Sequence, residues 1–219
     1  MDAETRKIPT HETTYVRLRD MVLYGHLEPG QPVTIQGLVG DLGAGMTPVR
    51  EAIRRLMAEG ALMPQGNRRV SVPHLSIRLL DQVAFARLTV EPKLAELAAG
   101  HLTPGLIERL QLLDNTVDGA IRAGDVPAYL EANHAFHFAL YEASEAAVLV
   151  DMARSLWLRF GPSLRVVCAR YGSSALPDRH SEVLAAMRAG DAAALAGAIE
   201  RDIAQGVDQV RLAILQGEI

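Results

Sequence analysis

Four side chains with nitrogen or oxygen donors stand where separate helices could bring them to one point. Asn133 and His137 are four residues apart in LEANHAFHFALY, so they share one face of a predicted helix. His180 begins another helical stretch, and Asp202 lies in the last one. A metal ion inside a helical bundle needs three or four such ligands from different helices. The spacing therefore allows a metal site, although each residue alone is also compatible with an ordinary core or surface role.

A metal site of this kind would also suit an enzyme. A metal-dependent hydrolase or lyase could hold its metal with His137, His180 and Asp202. The sequence has no general base at a recognisable spacing and no nucleophile motif, and an enzyme would leave the arginine-rich segment described below unexplained. We keep the metal-dependent enzyme as the alternative to a binding protein.

Arg87 is a further candidate, because a guanidinium offers a planar pair of donors that matches a carboxylate. It lies among apolar residues of a predicted helix, with Glu91 one turn further on. Two interpretations are open at this point. One is a surface ion pair with Glu91, worth only about 0.2–0.5 kcal/mol. The other is a clamp for a carboxylate effector.

The segment from Val33 to Val72 is rich in arginines that could bind DNA. Two short helical patterns flank the turn Gly43-Ala44-Gly45, and the second has Thr47 as its expected N-cap, followed by Pro48. Three arginines lie off the apolar stripe of this second helix, namely Arg50, Arg54 and Arg55. The pattern is that of a helix-turn-helix, whose second helix enters the major groove of DNA.

A short basic hairpin is predicted directly after this helix. Gln65-Gly66-Asn67 indicates a turn, and the strand that follows brings Arg68 and Arg69. Such a wing can contact phosphates or the minor groove beside the recognition helix. Helix pairs with solvated arginines are common, but the turn, the capped helix and the basic hairpin together indicate DNA binding.

The elements that position these residues divide near Pro73. We predict a winged helix-turn-helix domain over 1–73, with an amphipathic helix from Thr13 to Gly25, and an all-α effector-binding bundle over 77–219. The fold class is therefore mostly α. The Gly and Pro spacing predicts bundle helices near 77–100, 104–123, 126–142, 146–160, 162–171, 177–189 and 192–216.

Composition agrees with a two-part binding protein. The 219 residues carry 22 Lys and Arg against 26 Asp and Glu, and the acidic excess falls after residue 75, outside the DNA-binding segment. The single cysteine, Cys168, fits a reducing compartment. With no signal peptide or long apolar span, we expect a cytoplasmic protein without membrane contact.

Five motifs resemble a known family. PVREAIRRLMAEGAL is similar to the recognition helix of GntR-type winged helix-turn-helix regulators, and LEPGQPVT to the turn before their second helix. Residues 77–215 resemble the helical FCD effector-binding domain of the FadR-type members, on the motifs RLTVEPKLAELAA, NHAFHFALY and RHSEVLAAMRAGD. Gly45-Met46 stands where the family usually has a Ser/Thr-Arg pair, so the operator sequence cannot be copied from relatives.

The resemblance also implies site residues. Many FCD domains hold a metal with one aspartate and three histidines, and the matching positions here are Asn133, His137, His180 and Asp202. Two of these match in residue type, and the set keeps one negative charge. Ligands without thiolate suit zinc, nickel or manganese. In FCD domains an arginine at the position of Arg87 commonly faces the effector or the metal ligands, so we favour the carboxylate clamp.

We therefore expect a transcription regulator, most simply a repressor released by a small organic-acid effector. A homodimer is expected on double-stranded operator DNA, because one recognition helix covers few base pairs and palindromic sites match two-fold proteins. An architectural DNA-binding protein without an effector is a third interpretation of the DNA-binding segment, but it would leave the helical domain without a function.

Overall fold

The computed structural model describes residues 11–66, 69–171 and 179–217. The predicted DNA-binding residue Arg68 lies outside these ranges. The chain divides into two compact units, Met1–His74 and Leu75–Ile219.

The first unit is a small helical head with a three-stranded antiparallel sheet of order β1-β3-β2. Strand β1 was not anticipated, since the sequence predicts only the hairpin that becomes β2 and β3. The elements are α1 (His11–Leu23), β1 (Val33–Thr34), α2 (Ile35–Leu42), α3 (Met46–Ala58), β2 (Met63–Pro64) and β3 (Arg69–Ser71).

Local capping explains how α2 and α3 are separated. Thr34 caps α2 by accepting a hydrogen bond from the backbone N–H of Gly37 at 2.9 Å, and Gly43 ends the helix with φ 57°. The prediction that Thr47 caps α3 is wrong, because the helix begins at Met46 with Gly45 as its N-cap. Gly45 is extended, with φ −71° and ψ 160°, so helical backbone starts two residues earlier than the side-chain pattern indicated.

The turn before β1 depends on a glycine. Gly30 has φ +75°, and its backbone N–H donates to the carbonyl of Val72 at 2.8 Å. A Cβ at this position would lie 2.1 Å from Nε2 of His74. His74 is exposed, so its ring can move aside, and the left-handed backbone is the stronger demand for glycine.

The second unit is all helical in the part of the chain that is described. Helix α4 packs along α9 and α7, while α5 packs on α6. None of the described helices is both long and apolar enough to span a bilayer. The helices are α4 (Ile77–Ala98), α5 (Pro104–Ala123), α6 (Val126–Glu142), α7 (Ala147–Tyr171), α8 (His180–Ala189) and α9 (Ala192–Leu215), with a 3₁₀ turn at Ala99–His101.

One predicted helix boundary is wrong. The sequence indicates a break at Gly161-Pro162, yet α7 continues through Pro162 to Tyr171. A proline inside a helix costs about 3 kcal/mol because it removes one hydrogen bond and crowds the preceding turn. Phe160 and Leu164 are buried on either side of the proline, and their burial offsets this cost.

Candidate effector site and candidate DNA interface

A small cavity lies inside the helical unit, between α4, α6, α7 and α9. Its volume is about 40 Å³. Since one water molecule needs about 10–15 Å³ by this measure, the cavity has room for an ion with a few waters or for a compact ligand. Its polar lining is formed by Arg87, Tyr129, Asn133, His137, Asp202 and Gln205.

Three of the four predicted metal ligands form one cluster beside this cavity. His137, His180 and Asp202 each offer a ligand atom, and these atoms lie within 4.8 Å of one another. Both histidines are buried, and Nε2 of His137 is 3.2 Å from Oδ2 of Asp202. Asn133, the fourth candidate, is buried in the cavity wall. His134 lies apart from the cluster, with its ring against Phe138.

Neighbouring side chains orient both imidazole rings. His137 Nδ1 is 3.0 Å from the hydroxyl oxygen of Tyr141, which itself donates to Glu91 Oε2 at 2.7 Å. The hydroxyl hydrogen of Tyr141 is thereby committed to Glu91. The Tyr141 oxygen must accept the hydrogen bond from His137, so the ring proton of His137 is on Nδ1. His180 Nδ1 is 3.2 Å from Asp114 Oδ1, a partner that also only accepts when ionised. In each neutral ring, the nitrogen able to bind a metal is then Nε2.

Charge is concentrated at Asp202. Burial alone would raise the pKa of this carboxyl group, but the contact with His137 and the positive charge of Arg87 hold the pKa below its ordinary value. Because His137 Nδ1–H is directed to Tyr141, an attractive contact between Nε2 and the Asp202 carboxylate needs a cation at this point. A second ring proton or a metal ion would supply it.

Arg87 and Glu91 form an ion pair, but it is not the surface pair considered from the sequence. Arg87 is 3% exposed and Glu91 is 0% exposed. Nε of Arg87 is 2.5 Å from Glu91 Oε1, and Nη2 is 3.2 Å from Oε2. Burial lowers the pKa of Arg87, but the Glu91 charge outweighs it and the pKa stays above its ordinary value. Within the described residues no hydrogen bond uses Nη1, and Arg87 lines the cavity.

Sequence reasoning missed several side chains that support the site. Tyr141 follows His137 by four positions, so helical spacing could have revealed it, as it revealed the pairing of Glu91 with Arg87. Trp157 is buried and donates from Nε1 to Glu91 Oε2 at 3.0 Å. Asp114 is 66 residues from His180, and no local signal connects them.

The head presents most of the predicted DNA-binding side chains to solvent. Thr47 and Arg50 are exposed on α3, and Arg69 is exposed on β3. Arg50 forms no ion pair with the described residues. Arg54, whose side chain is 73% exposed, pairs with Glu51 on the same helix. These exposed cations lie on the recognition helix and the wing strand, the two elements that a winged helix uses against DNA.

Arg55 differs from the other arginines of α3. Its guanidinium lies 3.5 Å from the centre of the Tyr15 ring on α1. It also forms ion pairs with Glu12 at 3.0 Å and with Glu59 at 3.2 Å. Arg55 is therefore engaged within the head, where it connects α3 to α1.

Comparison with known proteins supports the same division of the chain. Residues 10–72 match the family model "Bacterial regulatory proteins, gntR family", and residues 82–205 match the model "FCD domain". The HTH-type transcriptional regulator McbR of Escherichia coli (strain K12) is 32% identical over 178 residues, covering 80% of each chain.

Two further similarities extend this result. The "Probable D-xylose utilization operon transcriptional repressor" of Paenarthrobacter nicotinovorans is 26% identical over 195 residues, covering 87% of this chain and 85% of that protein. The solved structure of E. coli McbR/YncC superposes with a TM-score of 0.87 at 27% identity, covering 93% of this chain and 98% of that one. These relatives are transcription regulators, and the comparisons lend no support to the metal-dependent enzyme.

Proposed function

The chain belongs to the GntR family of bacterial transcription regulators and carries an FCD effector-binding domain, and from this premise we propose how it is controlled. The protein is a homodimeric repressor. A compact carboxylate effector binds a divalent metal in the cavity of the helical unit and weakens the hold of the two heads on operator DNA. The alternative sign, activation by the effector, is an outcome of the experiment below.

The observation that carries this proposal is the cluster of His137, His180 and Asp202. Imidazole nitrogens and a carboxylate oxygen are ligands that suit zinc, nickel or manganese. A metal ion beside Asp202 also supplies the cation that its contact with His137 requires. The amide oxygen of Asn133 is a neutral fourth ligand from the same cavity wall.

The charge balance of the cavity favours an anionic effector. A divalent cation with one aspartate leaves one positive charge, because Arg87 is already neutralised by Glu91. A carboxylate bound to the metal would cancel that charge and could accept a hydrogen bond from Arg87 Nη1. The cavity volume of about 40 Å³ limits the effector to a compact organic acid unless the helices move apart.

The DNA contacts follow from the exposed cations of the head. We assign base or phosphate contacts to Thr47, Arg50 and Arg54 on α3, and phosphate contacts to Arg69 and Arg68 on the wing. Arg55 completes the predicted set but acts partly through α1. Two copies of α3 would read the halves of a palindromic operator, which is the reason for proposing a homodimer. A relative whose name describes an operon repressor supports the sign of regulation.

A binding experiment in two stages tests the proposal. Chelator-treated protein is titrated with Zn²⁺, Ni²⁺ or Mn²⁺, and its melting temperature is followed. Saturation to about 100 times the Kd should stabilise the wild type by about 2.7 kcal/mol. His137→Ala should abolish this gain. A panel of small organic acids is then added to complexes with operator DNA selected from random sequence.

Effector binding should release wild-type protein from that DNA in the presence of metal, while Arg87→Ala should stay bound. Tighter DNA binding on addition of the acid would make the protein an activator-type sensor. Equal metal affinity in wild type and His137→Ala would remove the cluster from the mechanism.

A further inference from the structure

The carboxylate of Glu91 connects the two halves of the proposed effector site. It has 0% exposure and accepts hydrogen bonds from residues of three helices. Arg87 on α4 donates through Nε at 2.5 Å and Nη2 at 3.2 Å. Tyr141 on α6 donates at 2.7 Å, and Trp157 on α7 donates at 3.0 Å. A carboxylate has about four acceptor positions, and the four hydrogen bonds here end once on Oε1 and three times on Oε2.

Glu91 does not itself line the cavity formed by the described residues. Its partners Arg87 and Trp157 line that cavity, and its partner Tyr141 contacts His137, which also lines it. We infer that Glu91 is a positioning residue that sets the orientation of both Arg87 and, through Tyr141, His137. The inference deepens the proposed function, because these are its effector and metal residues.

The Arg87 half of the argument rests on geometry. Two guanidinium nitrogens are held by Glu91, and the guanidinium carbon lies 4.7 Å and 4.5 Å from the ring centres of Trp157 and Phe160. These contacts fix the guanidinium plane and leave Nη1 as the nitrogen not bound to Glu91. Without Glu91 the guanidinium would lose both the plane and its buried counter-charge.

The His137 half rests on hydrogen-bond direction. Because Tyr141 donates to Glu91, its oxygen must accept from His137, and this places the ring proton on Nδ1. Nε2 then faces Asp202 as the ligand atom. A ring partner of this kind fixes the tautomer of a metal-binding histidine, and its loss commonly costs about 10–100-fold in metal affinity.

Two variants separate a positioning role from a purely structural one. Tyr141→Phe cuts the connection to His137 and keeps the Arg87–Glu91 pair, whereas Glu91→Gln removes the charge that serves both. Tyr15→Phe is the matched control, since it also removes a hydroxyl that donates to a glutamate, Glu59, but lies in the head. Circular dichroism establishes that each variant is folded. The Tyr141→Phe arm decides the inference even where Glu91→Gln fails to fold.

The first readout is the ring ¹⁵N spectrum of metal-free protein, with His137 assigned by its loss in His137→Asn. Nδ1 should be protonated in wild type and in Tyr15→Phe. In Tyr141→Phe it should lose this proton, and the ring should take the Nε2–H form that donates to Asp202. An unprotonated Nδ1 in the wild type, or an unchanged ring in Tyr141→Phe, would overturn the inference.

The second readout is calorimetric titration with Zn²⁺ and then with acetate as a carboxylate probe. Zn²⁺ affinity should fall about 10-fold or more in Tyr141→Phe. The fold-loss of acetate affinity caused by Arg87→Ala should be the same in wild type and in Tyr141→Phe, but should vanish in Glu91→Gln. Unchanged Zn²⁺ affinity in a folded Tyr141→Phe would contradict the inference. Absence of Zn²⁺ binding by wild type would contradict the proposed metal, and the ¹⁵N readout would then decide the role of Glu91 by itself.

Discussion

Nε2 of His137 on α6 and Oδ2 of Asp202 on α9 face each other at 3.2 Å. His137 is almost fully buried, whereas the Asp202 side chain keeps 21% of its exposure. Asp202 is thus the solvent-facing member of the pair. The residue has a lowered pKa, which has a direct consequence for stability.

We expect Asp202→Asn to lower the stability of metal-free protein by about 1.5–3 kcal/mol, the range for hydrogen bonds to charged groups, when a second ring proton on His137 supplies the cation that this contact needs. The pKa is lower in the folded protein than the ordinary 3.8, so the wild-type advantage is complete above 3.8 and is lost as pH falls through the native pKa. Urea unfolding of both proteins in chelator, from neutral pH to below 3.8, measures the difference. The exposed Asp208, on the same helix, gives the control Asp208→Asn. A difference independent of pH would contradict the prediction.

Arg50 and Arg55 should respond differently to truncation. Arg50 is exposed and unpaired among the described residues, so Arg50→Ala should cost about 1–3 kcal/mol in specific DNA affinity and leave the melting temperature unchanged. Arg55→Ala removes the contacts with Tyr15, Glu12 and Glu59, and should destabilise the head by about 0.5–1 kcal/mol. Fluorescence anisotropy and thermal melts distinguish the two effects. The same loss of stability in both variants would contradict the assignment of a DNA-contact role to Arg50 and a structural role to Arg55.

Arg69 on the wing should contribute through the DNA backbone. Arg69→Ala should weaken binding to all sequences alike and reduce the slope of log affinity against log salt by about 0.9 units. Binding is measured on selected and on scrambled DNA over a range of salt. Arg122→Ala, which removes an exposed arginine of the helical unit, is the charge-matched control. An altered sequence preference at constant salt slope would mean that Arg69 reads bases.

Local sequence patterns predicted most of the helices, and they predicted those contacts of the site that lie within one helix. Gly43 and the apolar spacing on either side of it defined α2 and α3, because a left-handed glycine and i,i+4 periodicity are properties of neighbouring residues. Strand β1 was missed because its two residues form a strand only by pairing with β3, which is over thirty residues later. The helix break predicted at Pro162 was wrong for a similar reason, since the burial of the side chains around the proline decides whether the helix continues.

The site shows the same limit. Arg87 with Glu91 and His137 with Tyr141 are neighbours on single helices, so their pairing could be read from spacing. The sequence could not show whether the Arg87–Glu91 pair is exposed or buried, because its burial depends on how α6 and α7 pack against α4. The pairing of His180 with Asp114 depends entirely on how α5 and α8 pack.

Any residue with a Cβ at position 30 is expected to destabilise the head, and the cause should be backbone strain more than crowding. Its φ of +75° costs a residue with a Cβ about 1–2 kcal/mol, so Gly30→Ala should destabilise the head by that amount. Gly30→Asn should cost less, because asparagine adopts left-handed backbone more readily. The Cβ contact is with the exposed ring of His74, which can turn away. His74→Ala should therefore restore little of the stability that Gly30→Ala removes. Thermal unfolding of the single and double variants tests this, and full recovery in the double variant would make the His74 ring, instead of the backbone, the reason for glycine.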